Sequence, residues 1–362
     1  MIDLKNFISQ IKKNCDISDA RFWGAYSLCG FLLRLRELYR IENGIKPWKK
    51  TPQKEISEWI SEREHLWQEL EDKDFIDIAV DGNTYDPFEV DKINNVLEKK
   101  GLIYGAGYGA HMKPSFFLAD LISKTTEEEY TVYRAGREYV RDLSAYPAML
   151  QDSSIFTRAD TMRQLLWEKF EELKLRGPKK SLAFAFSSYG IAPDEEPSED
   201  IDGRLSIVAF SEIETLIHHE IGEAIEGEKF GDEWKTLLRD IPCGKVEFFA
   251  RGVKDLLSDT SEKGMLKYII ENQKRGSLGF YIVFLGGYRR LLFPEILEAF
   301  RKFTETGDWG LIEHARKIGY KKTEGCAERL LSVYMNEKDK KQSFEYIEKE
   351  ILSGLSLLLH KM

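Results

Sequence analysis

Apolar positions recur at intervals of three and four residues over most of this chain, the spacing that one face of an α-helix requires. The pattern predicts helices over 20–39, 56–71, 90–100, 137–143 and 159–175, and an almost wholly helical chain from 211 onward. Asn43-Gly44 is a typical helix-end signal after the first of these helices. The periodicity therefore predicts a predominantly helical protein.

The segment 101–134 has a different pattern. Two apolar runs, 116–122 and 130–133, flank a polar stretch at 124–129, which predicts a β-hairpin with a longer loop. A further apolar run at 205–210 predicts a short strand. We therefore expect an α+β fold, predominantly α-helical, with helical bundle-like halves and a small β-hairpin element near 101–134.

A loop at 193–203 is the expected domain boundary, because it combines six acidic residues with two prolines. It would separate an N-terminal helical region with the β-hairpin (1–193) from a C-terminal helical domain (204–362). A length of 362 residues is compatible with about two to three domains.

Charge and composition narrow the class of protein. The net charge of −9, without a block of Lys and Arg, argues against nucleic-acid binding. The apolar runs 22–33 and 276–288 are too short to cross a bilayer, so no membrane partner is expected. Four widely spaced cysteines and no signal peptide favour a cytoplasmic protein with free thiols.

The stretch 105–110, Gly-Ala-Gly-Tyr-Gly-Ala, formally fits a dinucleotide-binding fingerprint. The strand before it is short and Pro114 interrupts any helix after it, so we predict a glycine-rich turn instead. His111 follows directly, where a flexible backbone would allow a ligand contact or a further metal ligand. A lone loop histidine is more often incidental.

The densest chemistry lies at 218–223, where two of the six histidines and two glutamates share little more than one helical turn. His219 and Glu223, four residues apart, would lie side by side and could hold one cation. Imidazole and carboxylate are usual ligands of zinc, iron and manganese, so we predict a divalent metal site. Glu214 and His218 form a second such pair on another side of the helix.

A structural interpretation of these pairs stands beside the metal site. His219 and Glu223 are compatible with a solvated face, and Glu214 and His218 with a satisfied ion pair. Gly222 favours a functional interpretation, because glycine within a helix costs about 1 kcal/mol relative to alanine and often allows another backbone or a ligand to approach closely.

Residues 217–224 resemble the HExxH helix of zincin metallopeptidases, in the form HELGHA. The resemblance implies that His219 is a metal ligand, that Glu220 is the general base, and that Glu223 replaces the second histidine. A third ligand in zincins often comes from a glutamate on a following helix, a position that Glu247 would take. A set of one histidine and two glutamates suits iron or manganese at least as well as zinc.

Glu247 also belongs to a stripe of alternating charge with Arg251, Asp255 and Asp259. Such a stripe is typically solvated or lies between helices. If it faces His219 instead, carboxylates are in excess and two metals could bind. Both interpretations stay open at this stage.

Three segments, 105–121, 216–227 and 275–287, resemble a family of uncharacterised bacterial proteins. That resemblance covers most of the chain and implies no function.

Three functions are compatible with these observations. The first is a metal-dependent hydrolase of a small molecule or peptide, with His219 and Glu223 as ligands, Glu247, His218 and His111 as further ligands, and Glu220 as general base. The second is an enzyme with an iron pair between helices that activates oxygen. The third is a non-catalytic helical scaffold or binding protein whose His-Glu pairs are structural.

Overall fold

The computed structural model of this chain describes residues 3–109, 112–176, 180–242, 244–337 and 339–352. The helices are α1 Leu4–Phe22, α2 Leu28–Glu42, α3 Gln53–Leu70, α4 Val90–Leu97, α5 Ala159–Arg176, α6 Lys180–Ser188, α7 Glu199–Asp240, α8 Lys245–Thr260, α9 Met265–Glu271, α10 Arg275–Phe284, α11 Gly287–Leu292, α12 Pro294–Thr306, α13 Trp309–Asn336 and α14 Lys340–Tyr346, which continues as a π-helical turn Ile347–Leu352. The strands are β1 Ile78–Val80, β2 Asn83–Tyr85, β3 Leu102–Tyr108, β4 Pro114–Glu127, β5 Tyr130–Arg141, β6 Ala148–Gln151 and β7 Ser154–Arg158. The predicted α+β, predominantly helical class is confirmed.

The chain forms two compact units. The N-terminal unit contains residues 1–171 and 196–213, and the C-terminal unit contains 172–195 and 214–362. Helices α5 and α7 each contribute residues to both units, so the chain passes from one unit to the other within each of these helices. The acidic loop predicted as the boundary includes one of the points where the chain passes between units.

A five-stranded sheet in the order β3-β4-β5-β7-β6 is the centre of the N-terminal unit. The predicted hairpin is its β4–β5 pair, with a turn at Glu128, whose φ is +53°, and strands that extend through the predicted loop. The helix predicted over 137–143 is wrong, because β5 continues to Arg141. Burial on both faces of β5 removes the simple alternation that marks a half-exposed strand.

The predicted glycine-rich turn is also wrong, since Gly105 and Gly107 lie within β3. Gly105 pairs with Phe117 across the sheet, and a Cβ atom there would lie 2.1 Å from the Phe117 ring. A Cβ on Gly107 would lie 2.8 Å from Sδ of Met149. These glycines make room for large side chains, as glycine in a strand often does.

Apolar side chains of α1, α4 and the sheet form the main core of the N-terminal unit. Phe7 and Ile11 of α1, Ile93 of α4, and Phe116 and Phe117 of β4 are all buried there. A smaller cluster joins the end of α1 to α2 and α3.

The described residues of the C-terminal unit form helices and the loops that join them, with no strand. Its core contains one apolar face of α8, including Phe249, Val253 and Leu256, against side chains of α9 to α13. In α7, Gly231 has φ +78° and interrupts the helical geometry. None of the helices described here is long and apolar enough to cross a membrane.

The strand predicted over 205–210 is wrong, because these residues belong to α7. Leu205, Val208 and Ala209 are buried at helical spacing, so the apolar run is the buried face of a helix. A short apolar run alone does not distinguish the two structures.

Candidate metal centre

Helix α7 presents His219 and Glu223 on the side opposite its buried isoleucines. Ile213, Ile217 and Ile221 are at most 1% exposed and fill the core, as the four-residue spacing predicts. His219 and Glu223 follow the same spacing, with 3.9 Å between Nε2 of the histidine and Oε2 of the glutamate. The pair therefore lies on one face, as expected from the sequence.

Helix α8 approaches this part of α7 closely at Gly222. A Cβ atom on Gly222 would lie 2.7 Å from the backbone oxygen of Ser258, too close for any side chain to fit without movement. The Ser258 hydroxyl donates a hydrogen bond to the carbonyl oxygen of His219. Gly222 thus sets the distance at which α8 brings its own polar residues to His219.

Asp255 of α8 completes a cluster of three potential metal ligands. One ligand atom from each of His219, Glu223 and Asp255 can be chosen so that all three lie within 4.8 Å of one another. Asp255 belongs to the charged stripe noted in the sequence, so this part of the stripe faces His219. Two helices together supply one imidazole and two carboxylates.

Asp259, one turn after Asp255, orients the imidazole. Its Oδ1 lies 2.7 Å from Nδ1 of His219, so Nδ1 carries the hydrogen and donates it to the carboxylate. Nε2, on the Glu223 side, is then the ring nitrogen that a metal could use. Metal-bound histidines commonly donate their other ring N–H to a carboxylate in this way.

The same carboxylate controls the protonation of His219. Burial alone would lower the pKa of the imidazole, but the charge and hydrogen bond of Asp259 outweigh it and raise the pKa to about 10. Without a metal, His219 is therefore an imidazolium at neutral pH. Since only neutral imidazole binds a metal, an ion that binds at Nε2 must displace a proton.

Two further cations neutralise the carboxylates. Nζ of Lys254 lies 2.7 Å from Oε2 of Glu223. Burial acts to raise the pKa of this glutamate, but the positive charges of Lys254 and His219 outweigh it and lower the pKa. The Arg289 guanidinium lies 3.9 Å from Asp255 and 3.7 Å from Oδ2 of Asp259. Oδ2 of Asp259 is buried and has no hydrogen-bond partner among the described residues. Protonated His219, Lys254 and Arg289 thus face three carboxylates.

The other predicted site residues lie in different places. Glu220 is buried, and its charge contributes to the raised pKa values of His219 and Lys254, so it lies close to the cluster. Glu247 is buried near the start of α8, where its Oε1 accepts a hydrogen bond from Nε of Arg251 at 2.9 Å, and it is not part of the three-residue cluster.

His218 points to a different side of α7 from His219. Its ring stacks on the Tyr268 ring, with 4.0 Å between the two centroids. His111, the remaining predicted ligand, lies outside the described residues. The structure therefore brings together His219 and Glu223 of the predicted ligands, with Glu220 nearby.

The sequence does not mark four of the residues at this site: Asp255, Asp259, Lys254 and Arg289. The signal for the two aspartates was their four-residue spacing in the charged stripe, but its direction depends on how α8 packs. Lys254 and Arg289 carry no motif. Only the structure shows that Arg289 lies near the two aspartates.

With this geometry in hand, comparison with known proteins gives the family. Two family models match, described as the N-terminal domain and the C-terminal domain of a family of unknown function, DUF6866, over residues 6–158 and 163–353. The chain belongs to this family. No curated protein and no solved structure matches it.

Proposed function

We propose that this protein is a metal-dependent hydrolase that holds one divalent ion between His219, Glu223 and Asp255. The observation that carries the proposal is the convergence of these three donors, with Asp259 hydrogen-bonded behind His219. One imidazole nitrogen and two carboxylates suit zinc, iron or manganese. A buried carboxylate that fixes the imidazole in the metal-binding tautomer adds a feature that a solvated His-Glu pair does not need.

The surrounding residues have distinct roles in this proposal. A bound divalent ion lowers the pKa of a coordinated water to about 7 and polarises a carbonyl or phosphoryl oxygen. Glu220 is the candidate general base, because it is buried beside the cluster and follows His219 directly. With Glu223 bound to the ion, Lys254 would face solvent or substrate instead of this glutamate. Together with Arg289 it would offer positive charge to a developing oxyanion.

The layout supports a limited comparison with the zincins. In both cases two ligands lie four residues apart on one helix, a glutamate follows the first ligand, and a carboxylate comes from a later helix. The later carboxylate in the cluster is Asp255 rather than the expected Glu247. We propose a small molecule or a peptide as the substrate.

The two alternatives make different demands on the site. An iron pair needs more bridging carboxylates than the three-residue cluster found in the described part of the chain. A structural role is favoured by Lys254 and Arg289, which already face the carboxylates without a metal. We therefore expect one ion, and metal binding itself distinguishes the hydrolase from the scaffold.

Metal loading of the full-length protein, purified without an affinity tag, tests the proposal. We expect about one equivalent of zinc, manganese or iron(II) after loading and desalting, together with a higher melting temperature. His219→Ala and Asp255→Asn should lose the metal, whereas His314→Ala, which changes an exposed histidine of α13, should keep it. Substoichiometric metal and an unchanged melting temperature would favour the structural network.

Catalysis needs a separate test. With metal bound, Glu220→Gln should retain the ion and lose hydrolysis of a chromogenic ester, peptide or phosphodiester by about a hundredfold or more. Full activity of Glu220→Gln would exclude Glu220 as the base while leaving the metal site intact.

A further inference from the structure

The N-terminal unit contains a cavity that is separate from the His219 cluster. It has a volume of about 450 Å³, within the usual range for small-molecule sites, and lies between the end of α2, β5 and α5. One part of its wall is apolar and includes Ile41, Ile45, Pro47 and Trp167. Most of the rest is arginines, carboxylates and one lysine.

The carboxylates in the wall are already engaged by guanidinium groups. Glu37 accepts from Arg36 and Arg40, Asp160 and Asp202 accept from Arg163, and Glu138 accepts from Arg158. Glu138 is shared, because Nη1 of Arg141 also lies 3.6 Å from its Oε2. Its one negative charge therefore faces two buried guanidiniums. The acids of the wall do not neutralise all of its bases.

Three cations of the wall have capacity left for a ligand. Arg40 is 7% exposed, and its buried Nε has no hydrogen-bond partner among the described residues. Arg137 and Lys46, which also line the cavity, form no ion pair within the described part of the chain. A buried N–H without an acceptor costs about 1–3 kcal/mol, so an acceptor supplied by a ligand would be favourable.

We propose that this cavity binds a small organic anion, with a carboxylate or phosphate group against the arginines and an apolar body against Trp167 and the isoleucines. Guanidinium groups match the geometry of both kinds of oxyanion. The excess of positive charge is local, since the whole chain has a net charge of −9. The proposal does not depend on metal binding, because no residue of the His219 cluster lines the cavity.

Calorimetric titration of the full-length protein at low ionic strength tests this inference. The probes are phenyl phosphate and benzoate, with inorganic phosphate and neutral benzyl alcohol for comparison. We expect saturable 1:1 binding of at least one aromatic anion, tighter than inorganic phosphate and weakened by salt. The preferred aromatic anion identifies the acid group. No saturable binding of either aromatic anion, or equal binding of benzyl alcohol, would overturn the proposal.

Variants assign the binding to this cavity. The double variant with Lys46→Gln and Arg137→Gln removes two cations that have no ion pair among the described residues, so it should fold and bind the aromatic anion at least tenfold more weakly. Lys50→Gln, which changes an exposed lysine outside the cavity, should bind as the wild type does. Unchanged affinity in the double variant, or an equal loss with Lys50→Gln, would show that the anion binds elsewhere.

Discussion

His219 shows how one neighbour decides the chemistry of a residue. Exposed, it would be a histidine that titrates near neutral pH and pairs weakly with Glu223. Asp259, which is 1% exposed and lies 2.7 Å from Nδ1, keeps the imidazole protonated and holds its Nε2 on the side of Glu223. The same hydrogen bond stabilises the metal-free protein and, on the proposed function, would orient the imidazole for a metal.

The stability of the metal-free protein should depend on pH through His219. Its pKa is raised from 6.5 to about 10 in the folded state, so its protonated form stabilises the fold. This contribution is full below the unfolded-state pKa and is lost as the pH rises from about 6.5 to 10. We expect the free energy of unfolding of the wild type to fall over this window by more than that of His219→Gln.

Urea unfolding at about pH 6, 8 and 10 measures this difference, since ionisations common to both proteins cancel. His314→Gln is the matched control and should follow the wild type. Parallel pH curves for the wild type and His219→Gln would contradict the assigned ion pair.

At the scale of elements, the contact between α7 and α8 depends on one glycine. Gly222→Ala places a Cβ atom 2.7 Å from the Ser258 carbonyl oxygen, so the helices must separate. We expect a loss of roughly 1–3 kcal/mol in the free energy of unfolding and weaker metal binding. Gly227→Ala, on the same helix and with no atom of the described residues within 4 Å of the new Cβ, should be neutral or stabilising. Chemical denaturation of the two variants side by side would show the contrast, and equal stabilities would contradict it.

A buried ion cluster joins α1 to the residue just before β4 and the residue just after β5. Nζ of Lys113 lies 3.0 Å from Asp19 and 3.4 Å from Asp142, and all three side chains are buried. Burial raises the pKa of Asp19 to about 7 although Lys113 acts to lower it. Lys113→Met should cost roughly 3–5 kcal/mol, because it leaves buried carboxylates without their cation.

The control for that substitution is Lys124→Met, which removes a partly exposed ion pair with Glu98 and should cost at most about 1 kcal/mol. Thermal or urea unfolding measures both. A cost for Lys113→Met no larger than that of the control would exclude the ion cluster as a major source of stability.

At the scale of the whole molecule, each of the two units is built from two separate stretches of the chain. Residues 172–195 belong to the C-terminal unit, although the helix α6 that they contain precedes the acidic loop. Helix α6 packs against α10 so closely that a Cβ on Gly279 would lie 2.8 Å from Ala185. A cut at the loop therefore removes part of the C-terminal core.

Fragment expression tests this division. The fragment 172–362 retains α6 and should be soluble with a cooperative melting transition. The fragment 194–362 lacks α6, exposes the buried face of α10 and should aggregate or melt without cooperativity. Equal solubility and equal melting of the two fragments would contradict the division.

The sequence predicted the features that depend on local pattern. Helical periodicity gave the class and many helices, and the four-residue spacing placed His219 beside Glu223. It failed where distant packing decides the structure: β5 at 137–141, the glycines of β3, and the helix at 205–210. Asp255 and Asp259 were visible as a charged stripe, but only the approach of α8 at Gly222 shows that they face His219.

Anomalous diffraction from crystals of manganese- or zinc-loaded protein tests the central claim most directly. We predict one strong metal peak per chain, within about 2.0–2.3 Å of Nε2 of His219 and of carboxylate oxygens of Glu223 and Asp255. Lys254 should have moved away from Glu223, and Asp259 should remain hydrogen-bonded to Nδ1. A metal peak elsewhere would contradict the proposed metal centre. The absence of any peak in crystals grown with excess metal, with Lys254 still bound to Glu223, would contradict it as well.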